Sequence, residues 1–121
     1  MISIIDDDEP VRDSLGLLLD SVGIEWDGFA SCEAFLAAGG NHADCLILDI
    51  HMPRMSGLEL LDALRRLGDD RPVIIITAHP TPAAIERAHA AGALALLEKP
   101  FKALELLSLI RSGLAGRASD S

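Results

Sequence analysis

Aromatic and basic residues are scarce in this chain. Its 121 residues include no tyrosine, three phenylalanines and one tryptophan, which leaves little for stacking nucleic-acid bases. Ten lysines and arginines stand against 19 aspartates and glutamates, so the formal net charge is −9. Such a surface repels phosphate backbones and anionic headgroups, and we expect no direct binding of nucleic acid or of a membrane surface.

Cysteine is also rare, and long apolar runs are absent. Cys32 and Cys45 do not have the spacing of a redox or zinc pair, so we expect two small buried side chains. The apolar run at the N-terminus is too short for a signal peptide, and no stretch is long enough to cross a bilayer. These features predict a soluble, cytoplasmic domain.

Apolar residues are plentiful, at half of the chain, which is enough for the core of one domain. Short strand-like runs fall at residues 2–5, 24–29, 45–50, 73–76 and 94–97. Helical segments are predicted at residues 10–22, 31–38, 58–67, 82–91 and 104–114. Inner faces are predicted from Val11, Leu15, Leu18 and Val22; Leu58, Leu61, Leu64 and Leu67; and Leu104, Leu107, Ile110 and Leu114.

This alternation predicts a doubly wound α/β fold, with a five-stranded parallel sheet and helices on both faces. The domain is expected to span residues 1–115. Residues 116–121 are expected to form a disordered tail or the start of a linker.

Polar residues follow four of the five predicted strands. Asp6 and Asp7 come after the first, Asp49 ends the third, Thr77 follows the fourth and Lys99 the fifth. Because the carboxyl ends of parallel strands share one edge, these side chains are expected to converge there. Clustered carboxylates with room for water and phosphate are typical of a Mg²⁺ site. A carboxylate there can attack a phosphoryl group, whose oxygens a hydroxyl and an ammonium would stabilise.

Four strings in this order resemble the signature blocks of response-regulator receivers of two-component systems: IIDDDEPVRDSL, LILDIHMPRMSGLEL, VIIITAH and LLEKPF. The resemblance runs from residue 2 to about residue 114. It implies a flavodoxin-like sheet with strand order 2-1-3-4-5 and a signalling role rather than an enzymatic one. It also implies phosphorylation by a sensor histidine kinase.

The same resemblance implies a role for each matching residue. Asp49 is the phosphoacceptor, Asp7 binds Mg²⁺ directly, and Asp6 binds it through water. The backbone carbonyl of His51 is a further metal ligand. Thr77 is the switch hydroxyl, and Lys99, before a cis bond to Pro100, pairs with the phosphoryl group.

Two features depart from the usual receiver pattern. Leu96 stands three residues before the lysine, where receivers commonly place a tyrosine or phenylalanine as a rotamer switch. Pro80 and Pro82 should stiffen the loop after Thr77, because each fixes its φ angle. We therefore hypothesise a smaller or differently routed switch.

The four histidines do not have the spacing of metal ligands. His42 and His89 are expected to face solvent, whereas His51 and His79 flank the predicted site. By resemblance, these two positions could tune the hydrolysis of the acyl phosphate.

The resemblance also bears on partners. It is strongest to receivers joined to helix-turn-helix transcription outputs, so a C-terminal output domain is one expectation. The alanine-rich residues 83–97 could form a homodimer face through the fourth helix and fifth strand.

Three alternatives use the same fold. A flavodoxin-like cofactor module needs a phosphate-cradling loop after the first strand, where this chain has DDDEP. A phosphohydrolase with an aspartyl nucleophile could use the spacing of Asp6 and Asp8, but it usually carries a cap domain for which there is no room. A receiver-like domain that signals without phosphate would not need the intact set of acids, hydroxyl and lysine.

Overall fold

Five parallel strands form one sheet in the computed structural model, which describes residues 1–39 and 43–120, with side chains through residue 116. The strands are β1 (Ile2–Ile5), β2 (Trp26–Phe29), β3 (Cys45–Asp49), β4 (Val73–Thr77) and β5 (Ala95–Glu98). The helices are α1 (Glu9–Ser21), α2 (Cys32–Ala37), α3 (Gly57–Arg66), α4 (Pro82–Ala90) and α5 (Ala103–Asp120). The strand order β2-β1-β3-β4-β5 confirms the predicted topology.

Burial on both faces explains why the central strands β1, β3 and β4 are almost entirely apolar. One face of the sheet, including Ile5, Leu48 and Ile75, packs on a cluster that contains Phe35 of α2 and Leu61 of α3. Residues that point the other way, such as Ile4, Ile47, Ile74 and Ile76, pack on Leu15, Leu19, Leu106 and Ile110 of α1 and α5. The sheet is therefore a rigid central layer that holds its strand ends in fixed positions.

Side-chain caps start helices α1 to α4 at the carboxyl edge of the sheet. Asp8 accepts a hydrogen bond from the backbone of Val11 at the start of α1, with Pro10 in the first turn as predicted. Ser31 and Thr81 cap α2 and α4 in the same way. Ser56 opens α3 in a capping box with Glu59. These caps keep the loops between strand and helix short and ordered.

Three residues predicted to lie on inner helix faces are exposed instead. Val22 and Leu67 are 36% and 79% exposed, because α1 and α3 have ended and these residues form the C-caps. Leu104 is 81% exposed in the first turn of α5, where Leu106 takes the buried position. The predictions for these three side chains were wrong.

Boundaries shift by one or two residues elsewhere. β2 begins at Trp26 rather than residue 24, β3 ends at Asp49, and β5 is displaced by one residue to Ala95–Glu98. The backbone of α5 continues to Asp120, through residues predicted as a tail or linker. The domain boundary near residue 115 is thus not marked by a helix break and stays a prediction.

Both cysteines are buried, as predicted. Burial, helped by the nearby carboxylates of Glu33 and Glu59, raises the pKa of the Cys32 thiol to about 12, so this thiol stays protonated and unreactive. The prediction for His42 falls on residues outside the described part of the chain, whereas His89 is exposed as expected. Among the described residues, no helix is both long and apolar enough to span a bilayer.

Candidate functional site

Three carboxylates meet at the carboxyl edge of the sheet. Asp6 and Asp7 follow β1 and Asp49 ends β3; one ligand oxygen from each lies within 4.8 Å of the others. The register, with Ile5 opposite Leu48, brings these two strand ends side by side. Asp6 is fully buried, Asp49 is 6% exposed and Asp7 faces solvent. The cluster is therefore open on one side only.

Lys99 reaches this cluster from the loop after β5. Its Nζ lies 3.2 Å from Oδ2 of Asp49 and 3.3 Å from Oδ2 of Asp6. Its backbone N–H donates to the carbonyl of Thr77 at 2.8 Å, which ties the ends of β4 and β5 together. The bond from Lys99 to Pro100 is cis, as the resemblance implied.

Two groups in the site have displaced pKa values. Burial raises the pKa of Asp6 above its ordinary value. Burial alone would lower the pKa of Lys99, but the carboxylates of Asp49 and Asp6 outweigh it, and that pKa is raised. Lys99 is thus a fixed ammonium among three carboxylates, and it does not neutralise the site.

The donor set fits a magnesium ion. Carboxylate oxygens are the hard ligands that Mg²⁺ prefers, and the open side at Asp7 leaves positions for water and phosphate oxygens. A dication would also relieve the mutual repulsion of the acids. The backbone N–H of His51 donates to Oδ1 of Asp49 at 3.2 Å, so the chain turns back over this carboxylate. The role of the His51 carbonyl as a ligand stays a prediction.

Thr77 ends β4 next to the carboxylate cluster. Asp49 pairs with Ile76 in the sheet, so Thr77 lies one residue farther along the neighbouring strand. Its buried hydroxyl accepts a hydrogen bond from the backbone N–H of His79 at 3.1 Å. The structure therefore brings all five predicted polar side chains to one edge.

Two supporting residues complete the site. Gly57 packs so closely that an added Cβ would lie 2.2 Å from the carbonyl oxygen of Asp49. Gly57 belongs to the string LILDIHMPRMSGLEL, but the sequence did not predict this contact. Nor did it predict the role of Arg12, whose Nη1 donates to the backbone carbonyl of Asp6 at 2.6 Å. Nothing in the local sequence pattern distinguishes Arg12 from a solvated helix residue, so only the structure reveals this contact.

Comparison with known proteins agrees with this arrangement. The family model described as "Response regulator receiver domain" matches residues 2–111. The chain belongs to this family. It is thus a receiver domain of a two-component response regulator, which is a signalling domain.

Named relatives of this receiver include the response regulator protein TmoT of Ectopseudomonas mendocina. It is 41% identical over 115 residues, which are 94% of this chain and 52% of TmoT. The transcriptional regulatory protein FixJ of Azorhizobium caulinodans is 40% identical over 121 residues, covering 98% of this chain and 56% of FixJ. The receiver thus spans about half the length of the curated relatives it matches.

Solved structures show the same fold. The response regulator StyR aligns with a TM-score of 0.88 at 40% identity, covering 98% of this chain and 61% of that chain. The structure of FixJ-N aligns with a TM-score of 0.85 at 38% identity and covers 94% and 92% of the two chains.

Proposed function

We propose that this receiver accepts a phosphoryl group on Asp49 from a sensor histidine kinase, with Mg²⁺ bound by the adjacent acids. One observation carries the proposal above the others. The carboxylate of Asp49 is held from both sides, by the backbone N–H of His51 on Oδ1 and by Lys99 on Oδ2. Asp6 and Asp7 stand within 4.8 Å to share a cation with it.

In the proposed reaction, a carboxylate oxygen of Asp49 attacks the phosphorus of the kinase phosphohistidine. The new O–P bond forms as the P–N bond breaks, and the electron pair returns to the kinase imidazole. A Mg²⁺ ion held by Asp6, Asp7, Asp49 and the His51 carbonyl would supply positive charge to the transferring oxygens.

Lys99 and Thr77 act on the phosphoryl oxygens after transfer. The ammonium of Lys99 already lies 3.2 Å from Asp49, so it can pair with a phosphoryl oxygen there. The hydroxyl of Thr77 accepts its hydrogen bond from His79, which leaves its own proton free to be donated. Movement of this hydroxyl toward the phosphoryl group is the proposed start of the signal.

We propose that the signal then takes a route without the usual aromatic rotamer. Leu96 on β5 is half-buried. It has no hydroxyl or aromatic ring that could change its rotamer when the Thr77 hydroxyl moves. Pro80 precedes the Thr81 cap and Pro82 is the first residue of α4, which restricts the connecting loop. We expect the loop between Thr77 and α4 to move less than in receivers that have an aromatic residue in place of Leu96.

The partners are proposed from the family and from the surface. A sensor histidine kinase supplies the phosphoryl group, and an output domain that regulates transcription carries the response in the cytoplasm. FixJ is named as a transcriptional regulatory protein, and this chain covers 56% of it. For a homodimer, the exposed apolar residues Ile85 of α4 and Leu94 before β5 are the proposed contact face.

Intact mass after incubation with acetyl phosphate tests the proposed acceptor. We expect one added phosphoryl group in the presence of Mg²⁺ and none in its absence. Asp49→Asn should abolish the gain, whereas Asp13→Asn on the exposed face of α1 should keep it. A gain that persists in Asp49→Asn would contradict the assignment of the acceptor, and no gain in any condition would refute phosphorylation itself.

A further inference from the structure

Two histidines face each other at the mouth of the carboxylate site. The backbone N–H of His51 bonds to Oδ1 of Asp49, and that of His79 bonds to Oγ1 of Thr77. These hydrogen bonds fix both main chains beside the site. Both side chains are exposed, and their ring centroids lie 6.3 Å apart at an interplanar angle of 61°.

The imidazole nitrogens are available for a ligand. Within the described part of the chain, neither ring donates or accepts a hydrogen bond, and the aromatic contact of each ring is with the other. Neutral imidazole is the commonest side-chain ligand for transition metals. Along the chain His51 and His79 are too far apart to suggest a site; the adjacent ends of β3 and β4 bring them together.

The distance between the ring centroids is close to the distance expected for two imidazoles that bind the same metal ion. A zinc ion about 2.1 Å from one nitrogen of each ring, at the tetrahedral angle, places the two centroids about 5.2 Å apart. The rings must therefore approach each other by about 1 Å from their observed positions. A wider N–Zn–N angle requires a smaller approach. Exposed side chains reach such a geometry by small rotations about χ1 and χ2.

We propose that the imidazole rings of His51 and His79 form a second metal site for a zinc-like divalent cation. It is separate from the magnesium site of the carboxylates, to which His51 would contribute only its backbone carbonyl. Nitrogen ligands favour Zn²⁺, Ni²⁺ and Cu²⁺, whereas Mg²⁺ prefers oxygen, so the two sites differ in the metal they select. Water completes the coordination of the second ion. Because the backbones of these two residues hydrogen-bond to Asp49 and Thr77, we expect an ion held there to obstruct a phosphoryl donor. This consequence, unlike the binding itself, rests on the proposed function.

Calorimetric titration with Zn²⁺ tests the site, with Mg²⁺ in large excess to occupy the carboxylates. We expect one zinc ion to bind per chain. His51→Ala and His79→Ala should each weaken binding by about tenfold or more, since each removes one of two protein ligands. The matched control is His89→Ala, which removes an exposed histidine from α4 and should leave binding unchanged. Zinc binding that survives both single substitutions, or no binding to the unaltered chain, would overturn the proposal.

A second experiment tests the consequence for phosphorylation. The rate of phosphorylation by acetyl phosphate is measured with and without Zn²⁺, and each variant is compared with itself. Zinc should slow the reaction of the unaltered chain and have little effect on His79→Ala. Equal slowing in both would overturn the obstruction. A chain that takes no phosphoryl group even without zinc would refute the proposed function, while the calorimetric result would still decide the metal site.

Discussion

Asp6 is fully buried, and we predict that Asp6→Asn stabilises the protein in the absence of metal. At an effective dielectric constant of about 20, the attraction between Asp6 and Lys99 at 3.3 Å amounts to about 5 kcal/mol. Repulsion from Asp49, no more than 4.8 Å away, opposes it with at least about 3.5 kcal/mol. The favourable remainder is therefore at most about 1.5 kcal/mol, whereas removing a carboxylate from water costs several kcal/mol.

Asparagine avoids most of this desolvation cost. Its side-chain oxygen can still accept the hydrogen bond that Asp8 donates to Oδ1 of Asp6 at 2.9 Å. We therefore expect Asp6→Asn to raise the free energy of unfolding by about 1 kcal/mol at neutral pH without metal. Urea denaturation in the presence of a chelator measures this difference. Asp13→Asn, an exposed acid on α1, is the matched control and should change stability little.

The stabilisation by Asp6→Asn should also depend on pH and should grow as pH rises. Burial raises the pKa of Asp6 in the folded state above 3.8. A raised pKa contributes stability that is complete below the unfolded value and is lost as pH rises through the folded value. The unaltered chain should therefore match Asp6→Asn below pH 3.8 and become less stable than this variant as pH rises through the raised pKa. An asparagine variant that is less stable at neutral pH, or a difference that does not vary with pH, would refute this reasoning.

Two further predictions concern positions at which the backbone favours glycine. Arg54 has φ = 66°, so Arg54→Gly should relieve left-handed strain and stabilise the protein by about 0.5 kcal/mol after the entropic cost of glycine. A lower denaturation midpoint would contradict this. Gly57→Ala should destabilise by about 3 kcal/mol and slow phosphorylation, because the new Cβ meets the Asp49 carbonyl. Gly116→Ala, in open space, is its control, and equal effects in both variants would show that the contact is unimportant.

The sheet could be predicted from sequence because its strands carry their own signal. Val73–Thr77 consists of five consecutive β-branched residues, which resist helix formation, and the structure buries all of this strand. Helix faces were predicted less well. Leu67 and Leu104 fit the apolar spacing of their helices, but Leu67 lies one residue past the end of α3 and Leu104 lies in the first turn of α5. Periodicity describes the interior of a helix and says little about where its contact with the sheet stops.

At the carboxyl edge of the sheet, some site residues could also be predicted from the local sequence, whereas others depend on tertiary structure. Asp49 could be identified from the sequence because an unpaired acid at the end of a buried strand is energetically costly, which indicates a functional role. Arg12 could not, because its bond to the Asp6 carbonyl depends on how α1 leaves β1. The approach of His51 to His79 depends likewise on the pairing of β3 with β4.

The sequence alone determined the class of fold, the order of its elements and the residues that gather at one edge, since these follow from periodicity and from the common direction of parallel strands. Only the tertiary structure decided the distances. It placed Lys99 between two carboxylates, buried Asp6 while leaving Asp7 in solvent, and brought the rings of two histidines into edge contact. These features arise from strand register and from loops that return over the sheet, and neither is encoded in the spacing of residues along the chain.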